Sequence, residues 1–305
     1  MKTAGWQPYV VLGVGVSAVA WAAILVREAD APALIIAAYR LTLASIPMGA
    51  LALVQHRRAP EPISAGTVAP LVLSAAFLAA HFGFWIASLQ RTSVVTAVVL
   101  MATQPLIVGI AAPLLLGEAV DRRVWLALGV ALAGTAAMAI EDVGEALGTV
   151  AGDLYAVLGG IFAAGYLMVG RYARPGTSWL RYVGTVYPIA AVFLLASALV
   201  AGDSFTGYST KTLLMIGLLA LGPQLIGHSA INWSLAYLPV MLVAMAILVE
   251  PVGSTILATL ILDERPSGVE MAGGALVLVG VYLALRPERQ AEAVVAEVAE
   301  VPAAD

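Results

Sequence analysis

Apolar residues in this chain do not alternate with polar ones. They run in long blocks, separated by short clusters of charged and turn-forming residues. A helix crossing a bilayer core of about 30 Å needs about 20 such residues. The blocks predict ten helices, at 8–26, 33–55, 66–89, 93–116, 122–140, 150–170, 178–200, 210–235, 239–262 and 267–285. Connections between them are short and leave no room for a soluble domain, so the expected fold class is an all-α integral membrane protein with ten transmembrane helices. The first block is longer than the apolar region of about 7–15 residues in a cleavable signal, and only Lys2 precedes it as a positive charge. It is expected to stay in the mature protein. The segment 286–305, rich in Ala, Val and Glu, predicts a mobile cytoplasmic tail.

The pattern is written twice. Gln104-Pro105, Leu116-Gly117-Glu118 and Gly134 recur as Glu250-Pro251, Leu262-Asp263-Glu264 and Gly280, each 146 positions later, and Ser88-Leu89 returns as Ser234-Leu235 at the same offset. Residues 1–145 and 146–285 are therefore expected to be two five-helix repeats. An odd number of helices per repeat makes the halves enter the membrane in opposite senses, giving an inverted repeat. Such duplication points to a transporter with a substrate site between the halves.

Composition narrows the class. Apolar residues make up 61% of the 305, charged residues 11%, and the mean hydropathy is +0.96; a soluble domain has about 25% charged residues. A net charge of only −4 argues against nucleic acid as a partner. The absence of cysteine excludes disulfides and thiolate chemistry. The three histidines, His56, His81 and His228, form no metal-binding motif, so no metal, cofactor or catalytic constellation is expected. With the N-terminus inside, Lys2, Arg57, Arg58, Arg122, Arg123, Arg171, Arg174, Arg286 and Arg289 lie on the cytoplasmic side, against Arg27, Arg91, Lys211 and Arg265 outside. Both termini are thus expected to be cytoplasmic, with the acidic loop Glu141-Asp142 and Glu145 outside.

The tandem repeats, the proline followed thirteen residues later by glutamate in each half (Pro105 and Glu118, Pro251 and Glu264), the glycine-bearing last helix of each half and Arg40 in Ala37-Ala38-Tyr39-Arg40 resemble the EamA-type transporters of the drug/metabolite transporter superfamily. The resemblance covers about residues 8–285, and the pattern is similar to bacterial amino-acid exporters, including the aromatic amino-acid and methyl viologen branch. It implies a bacterial inner-membrane protein exporting small organic solutes. Asp263 stands where the first repeat has Gly117, a departure from the common pattern.

Polar side chains deep in a membrane are expensive and usually face a bundle interior or an aqueous cavity. Gln224, His228 and Asn232 form one stripe of the eighth span. Ser74, His81 and Ser88 do so in the third, with Trp85 one turn past His81. These predict two polar stripes flanking a cavity, the alternative being interhelical hydrogen bonding. Gln104 and Glu250 occupy matching places before the prolines, and Glu250 falls near mid-membrane. It is expected to couple protons or bind a substrate ammonium, or else to hydrogen-bond a neighbouring helix as a neutral carboxyl. Tyr155, Phe162 and Tyr166 share a face of the sixth span and offer rings and hydroxyls to a substrate.

Other positions read as mechanical. Pro105 and Pro251 are the candidate hinges because they match across the repeats. Arg40 and Arg181, near helix starts, are expected to reach the water boundary or pair with an acid such as Glu28 or Asp30, with binding of a substrate carboxylate as the alternative. Glu118 and Glu264, at helix C-termini, are expected to gate or pin the two faces through the next helix's N-terminus or nearby arginines. The glycines of the fifth and tenth spans predict close packing, as a scaffold or a homodimer surface.

The expected activity is therefore alternating-access export of amino acids or similar metabolites, with membrane lipid as surroundings and proton coupling as a possible drive. Drugs, purines and nucleotide sugars are rival substrates, the last wanting more cavity cations than Arg40 and Arg181 supply. An intramembrane enzyme is the rival class and lacks a catalytic constellation.

Overall fold

In hydrocarbon every backbone N–H and C=O must find its partner inside the protein, which leaves helices or closed barrels. Blocks rich in Ala and Leu favour the helix. The computed structural model describes residues 5–59, 65–92, 94–139, 150–262 and 266–286, and among these it contains helices and no strand. The first half holds α1 (Gln7–Val19), α2 (Ala22–Arg27), α3 (Ala33–Arg58), α4 (Ala65–Leu89), α5 (Val94–Met101), α6 (Thr103–Leu116) and α7 (Arg122–Ala139). The second holds α8 (Val150–Ala173), α9 (Trp179–Ala201), α10 (Thr210–Leu219), a π-helical segment (Ala220–His228), α11 (Ser229–Ser234), α12 (Val240–Ile247), α13 (Glu250–Leu262) and α14 (Gly268–Leu285).

Among the described residues, eight helical stretches are long and apolar enough to cross a membrane, and Thr103–Leu116 is apolar but shorter. Large apolar side chains such as Leu114, Leu199 and Val200 are exposed, while Arg40, Gln104, Gln224 and Asn232 are buried. That inside-out polarity suits a lipid surround. The acidic loop at 141–145, Glu264 and the tail beyond 286 lie outside the described residues.

The most extensive helix contacts join α7 to α14, α4 to α8 and α3 to α9, and α1 packs on the π-helical segment and α11. The 146-residue offset turns α3 into α9 and α7 into α14, and it converts the α4–α8 contact into the contact of α1 with the eighth span. Glycines permit the closest of these approaches. A Cβ on Gly134 would stand 2.5 Å from the Gly273 carbonyl, and one on Gly280 would stand 2.7 Å from that of Ala127. These glycines seal α7 against α14 within one chain, whereas Gly129 is exposed with open space beside it.

Two helix breaks match across the halves. Proline lacks the N–H that would bond the carbonyl four residues back. For Pro105 that carbonyl belongs to Met101, where α5 ends; for Pro251 it belongs to Ile247, where α12 ends. Each proline falls instead in the first turn of the following helix, where the N–H has no intrahelical partner anyway. The fourth and ninth blocks are thus each a pair of half-helices, broken at Ala102 and at Leu248.

Candidate functional site

The half-helix breaks bring Gln104 and Glu250 to a small cavity at the centre of the bundle. Arg40, His81, Trp85, Tyr166 and His228 line the same space, whose volume is about 40 Å³. A cavity needs roughly 10–15 Å³ to hold a water, whereas drug-sized ligands occupy pockets of about 300–1,000 Å³. The space is thus large enough for water and far smaller than a pocket for a drug-sized ligand.

Arg40 is the departure from expectation. It lies seven residues into α3, about 10 Å from the helix start at 1.5 Å per residue, and it is fully buried. It does not reach the water boundary, and Glu28 pairs with Lys211 instead. Its Nε–H donates to Gln224 Oε1 at 2.9 Å, and its guanidinium lies over the Phe82 ring, 4.0 Å from the centroid. Nη1 and Nη2 have no hydrogen-bond partner among the described residues. Glu250 is half-buried and lines the same cavity as Arg40.

The histidines sit side by side. The His81 and His228 ring centroids are 6.3 Å apart, and Phe82 meets His228 edge-on at 5.0 Å. His81 Nδ1–H donates to the Gly159 carbonyl at 3.0 Å, leaving Nε2 for the cavity. His228 Nδ1 is buried without a partner among the described residues.

Behind the cavity runs a polar network. Asn232 Nδ2 donates to the Tyr166 hydroxyl at 2.6 Å and to the His228 carbonyl at 2.7 Å, while its Oδ1 has no partner among the described residues. Tyr187 and Ser229 hydroxyls stand 3.1 Å apart, as do Ser74 and Tyr182 at 2.5 Å. Gln224 and Asn232 thus brace the wall, from a stretch that is π-helical between Ala220 and His228. π-helical turns occur disproportionately at functional sites.

Sequence reasoning passed over Phe82, Tyr182 and Arg174. Arg174 Nε donates to the Asn232 carbonyl at 3.0 Å, fixing the end of the network from outside. By sequence Arg174 is one of the cytoplasmic charges; it is buried in the turn Arg174–Gly176, and the following Pro175-Gly176 is the available signal.

Other predicted residues fall elsewhere. Tyr155 is not in the central cavity; it lines a separate groove beside Phe84, with the Arg91 guanidinium 5.4 Å from its ring centroid. Arg181, half-buried in α9, is absent from the cavity wall. Glu118 does not pair with the adjacent Arg122 or Arg123. Its carboxylate accepts from Arg171 Nε at 2.5 Å and from the Val240 N–H at 2.9 Å, while Arg123 bonds the Leu283 carbonyl. Arg171 also donates to the Leu235 carbonyl, so this one cluster ties α8, the end of the eighth span and the N-terminus of α12 to the end of α6. An anion at the first turn of α12 also suits the helix dipole.

Chemically, the cavity offers two guanidinium NH2 groups without a partner among the described residues, a carboxylate, imidazole nitrogens and aromatic faces. That set can hold a small molecule carrying both an anionic and a cationic group. Among the described residues no cluster of His, Asp or Glu could hold a metal ion.

Comparison with known proteins agrees with this architecture. A WAT1-related, chloroplastic protein of Arabidopsis thaliana is 27% identical over 271 residues, covering 83% of this chain; the chain spans 63% of that relative's length. A solved crystal structure of another protein superposes with a TM-score of 0.73 at 18% identity, over 92% of this chain and 97% of that one, and so shares the fold. The model of the EamA-like transporter family matches residues 6–140 and again 150–286. The chain belongs to the EamA-like transporter family and is a multi-pass membrane protein.

Proposed function

We propose that the protein exports small organic solutes of the amino-acid class across a bacterial inner membrane, binding them as zwitterions in the central cavity. The observation that carries this reading is Arg40. A buried guanidinium with two terminal nitrogens unused is costly, and a substrate carboxylate would satisfy both at once in the bidentate geometry arginine favours. Glu250, on the same wall, would receive the substrate ammonium, and the rings of Trp85, Phe82 and Tyr166 would take an apolar or flat side chain.

Movement follows from the repeats. Ten helices in two inverted sets of five, with both termini cytoplasmic, would exchange conformations to open the site to each face in turn. The paired half-helix breaks and the helix contacts related by the 146-residue offset support this. Pro105 and Pro251 are the hinges, and the Glu118–Arg171–Val240 cluster closes one face. Glu250 exchanges a proton for the substrate ammonium, which couples export to the proton gradient.

The test is flux in proteoliposomes with a radiolabelled panel of amino acids, nucleobases and sugars, with and without a pH gradient. Saturable flux of neutral or aromatic amino acids, quickened by the gradient, is expected. Flux confined to nucleobases or sugars would move the substrate class, and enzymatic turnover abolished by His81→Ala would move the protein to another class.

A further inference from the structure

A second cavity lies on the far side of α4 from the central site. Its volume is about 1010 Å³, at the upper end of ligand pockets of roughly 300–1,000 Å³. It is a lateral groove walled by the start of α3, by α4, by Tyr155 of α8 and by the last turns of α9. Its floor on α4 is made by Ala76, Ala80, Gly83 and Ala87, spaced along one helix face. Those side chains are small, and at Gly83 the Leu34 and Leu194 side chains come within 3.4 and 3.8 Å of where a Cβ would stand.

Its polarity is one-ended. Gln90 and Arg91 follow the C-terminus of α4, and Asp203 follows that of α9, so one acid and one base share the mouth. The rest of the lining is apolar, with Phe84, Phe193 and Val200 among the walls, and Ser197 is the one polar side chain of α9 within it. Arg91 is held over the Tyr155 ring, with Nη1 on the Ala87 carbonyl, so its charge is presented at the mouth in a fixed place.

We propose that this groove binds one membrane phospholipid with a zwitterionic, amine-bearing headgroup of the phosphatidylethanolamine class. The phosphate lies at Arg91, the ammonium at Asp203, and an acyl chain along the small-residue floor. A lipid has the same profile as the groove, one doubly charged end and a long apolar remainder. A helix from a second copy would be apolar along its length and bring no charge pair to the mouth. Arginine pairs with phosphate and carboxylate with ammonium by charge-assisted hydrogen bonds, which fixes the headgroup class more sharply than the tail.

Native mass spectrometry of the full chain, purified in mild detergent and exposed to vesicles of phosphatidylethanolamine, phosphatidylglycerol or phosphatidylcholine, tests this. The wild type should retain one phosphatidylethanolamine through delipidation that strips the other two. Ala80→Phe, which fills the floor, should abolish retention. Asp203→Asn, at the mouth and outside the packed core, should fold normally and lose the preference over phosphatidylglycerol by about tenfold, the scale of one lost charge-assisted contact. Equal retention of all three lipids by the wild type, or a preference unchanged in Asp203→Asn, would overturn the proposal. So would a dimer that Ala80→Phe dissolves, since the groove would then hold a second copy.

Discussion

A guanidinium enclosed in a membrane bundle is costly unless its donors are used, and among the described residues Arg40 uses only Nε. If the terminal nitrogens receive the substrate, Arg40→Lys keeps the charge and loses the planar fork. The apparent KM in proteoliposomes should then rise by about tenfold or more, with Vmax changed less. Glu250→Gln keeps the shape and removes the titrating proton. It should leave measurable flux but abolish the response to an imposed pH gradient; a variant that responds as the wild type does would remove Glu250 from coupling. Much of the candidate site was readable as polar interruptions of apolar blocks: His81, Gln104, Gln224, His228, Asn232 and Glu250 all converge on one region. Depth was harder to read than face. Tyr155 and Tyr166 share a side of α8, yet eleven residues separate them by about 16 Å along the axis, and only Tyr166 meets the cavity. Arg40 was misplaced for the same reason, since nearness to a helix start does not reveal what packs over it.

At the scale of the elements, the proposed hinges are Pro105 and Pro251. Healing the breaks with Pro105→Ala or Pro251→Ala would let the backbone ladder run through Ala102 or Leu248. An interior proline costs about 3 kcal/mol relative to alanine, and one in a first turn costs less. The variants should melt no lower than the wild type in detergent, yet turn over more slowly. Unchanged flux in both would make the breaks static features. Packing gives a contrasting case. Gly134→Leu forces a side chain into the Gly273 backbone, where overpacking costs about 1–3 kcal/mol, so its melting temperature should fall. The matched prolines and glycines were visible in the sequence because each has one dominant backbone effect. The π-helical stretch was not: Gln224, His228 and Asn232 fit an ordinary α-helical stripe, and the wider turn arises where Pro223 and the packing of Gly227 on α1 disturb the ladder.

At the scale of the molecule, the duplication was the plainest feature of the sequence, because an offset of 146 holds for motif after motif. The tie between the halves could not be read there, since it depends on contacts between distant segments. Glu118 of the first half holds Arg171 and the Val240 N–H of the second. Glu118→Gln should weaken that tie and increase labelling of a cysteine introduced beside it. The chain has no native cysteine to confuse the readout. Labelling unchanged by Glu118→Gln would make the cluster a passive joint. The central claim, that the cavity accepts a zwitterion between Arg40 and Glu250, is tested most directly by competition. Flux of a labelled neutral amino acid into proteoliposomes would be measured against the unlabelled amino acid, its amide and its N-acetyl derivative. The account predicts inhibition by the amino acid alone, and a weaker contest between amino acid and amide in Arg40→Lys. Equal inhibition by all three would contradict it, because neither charge would then be recognised.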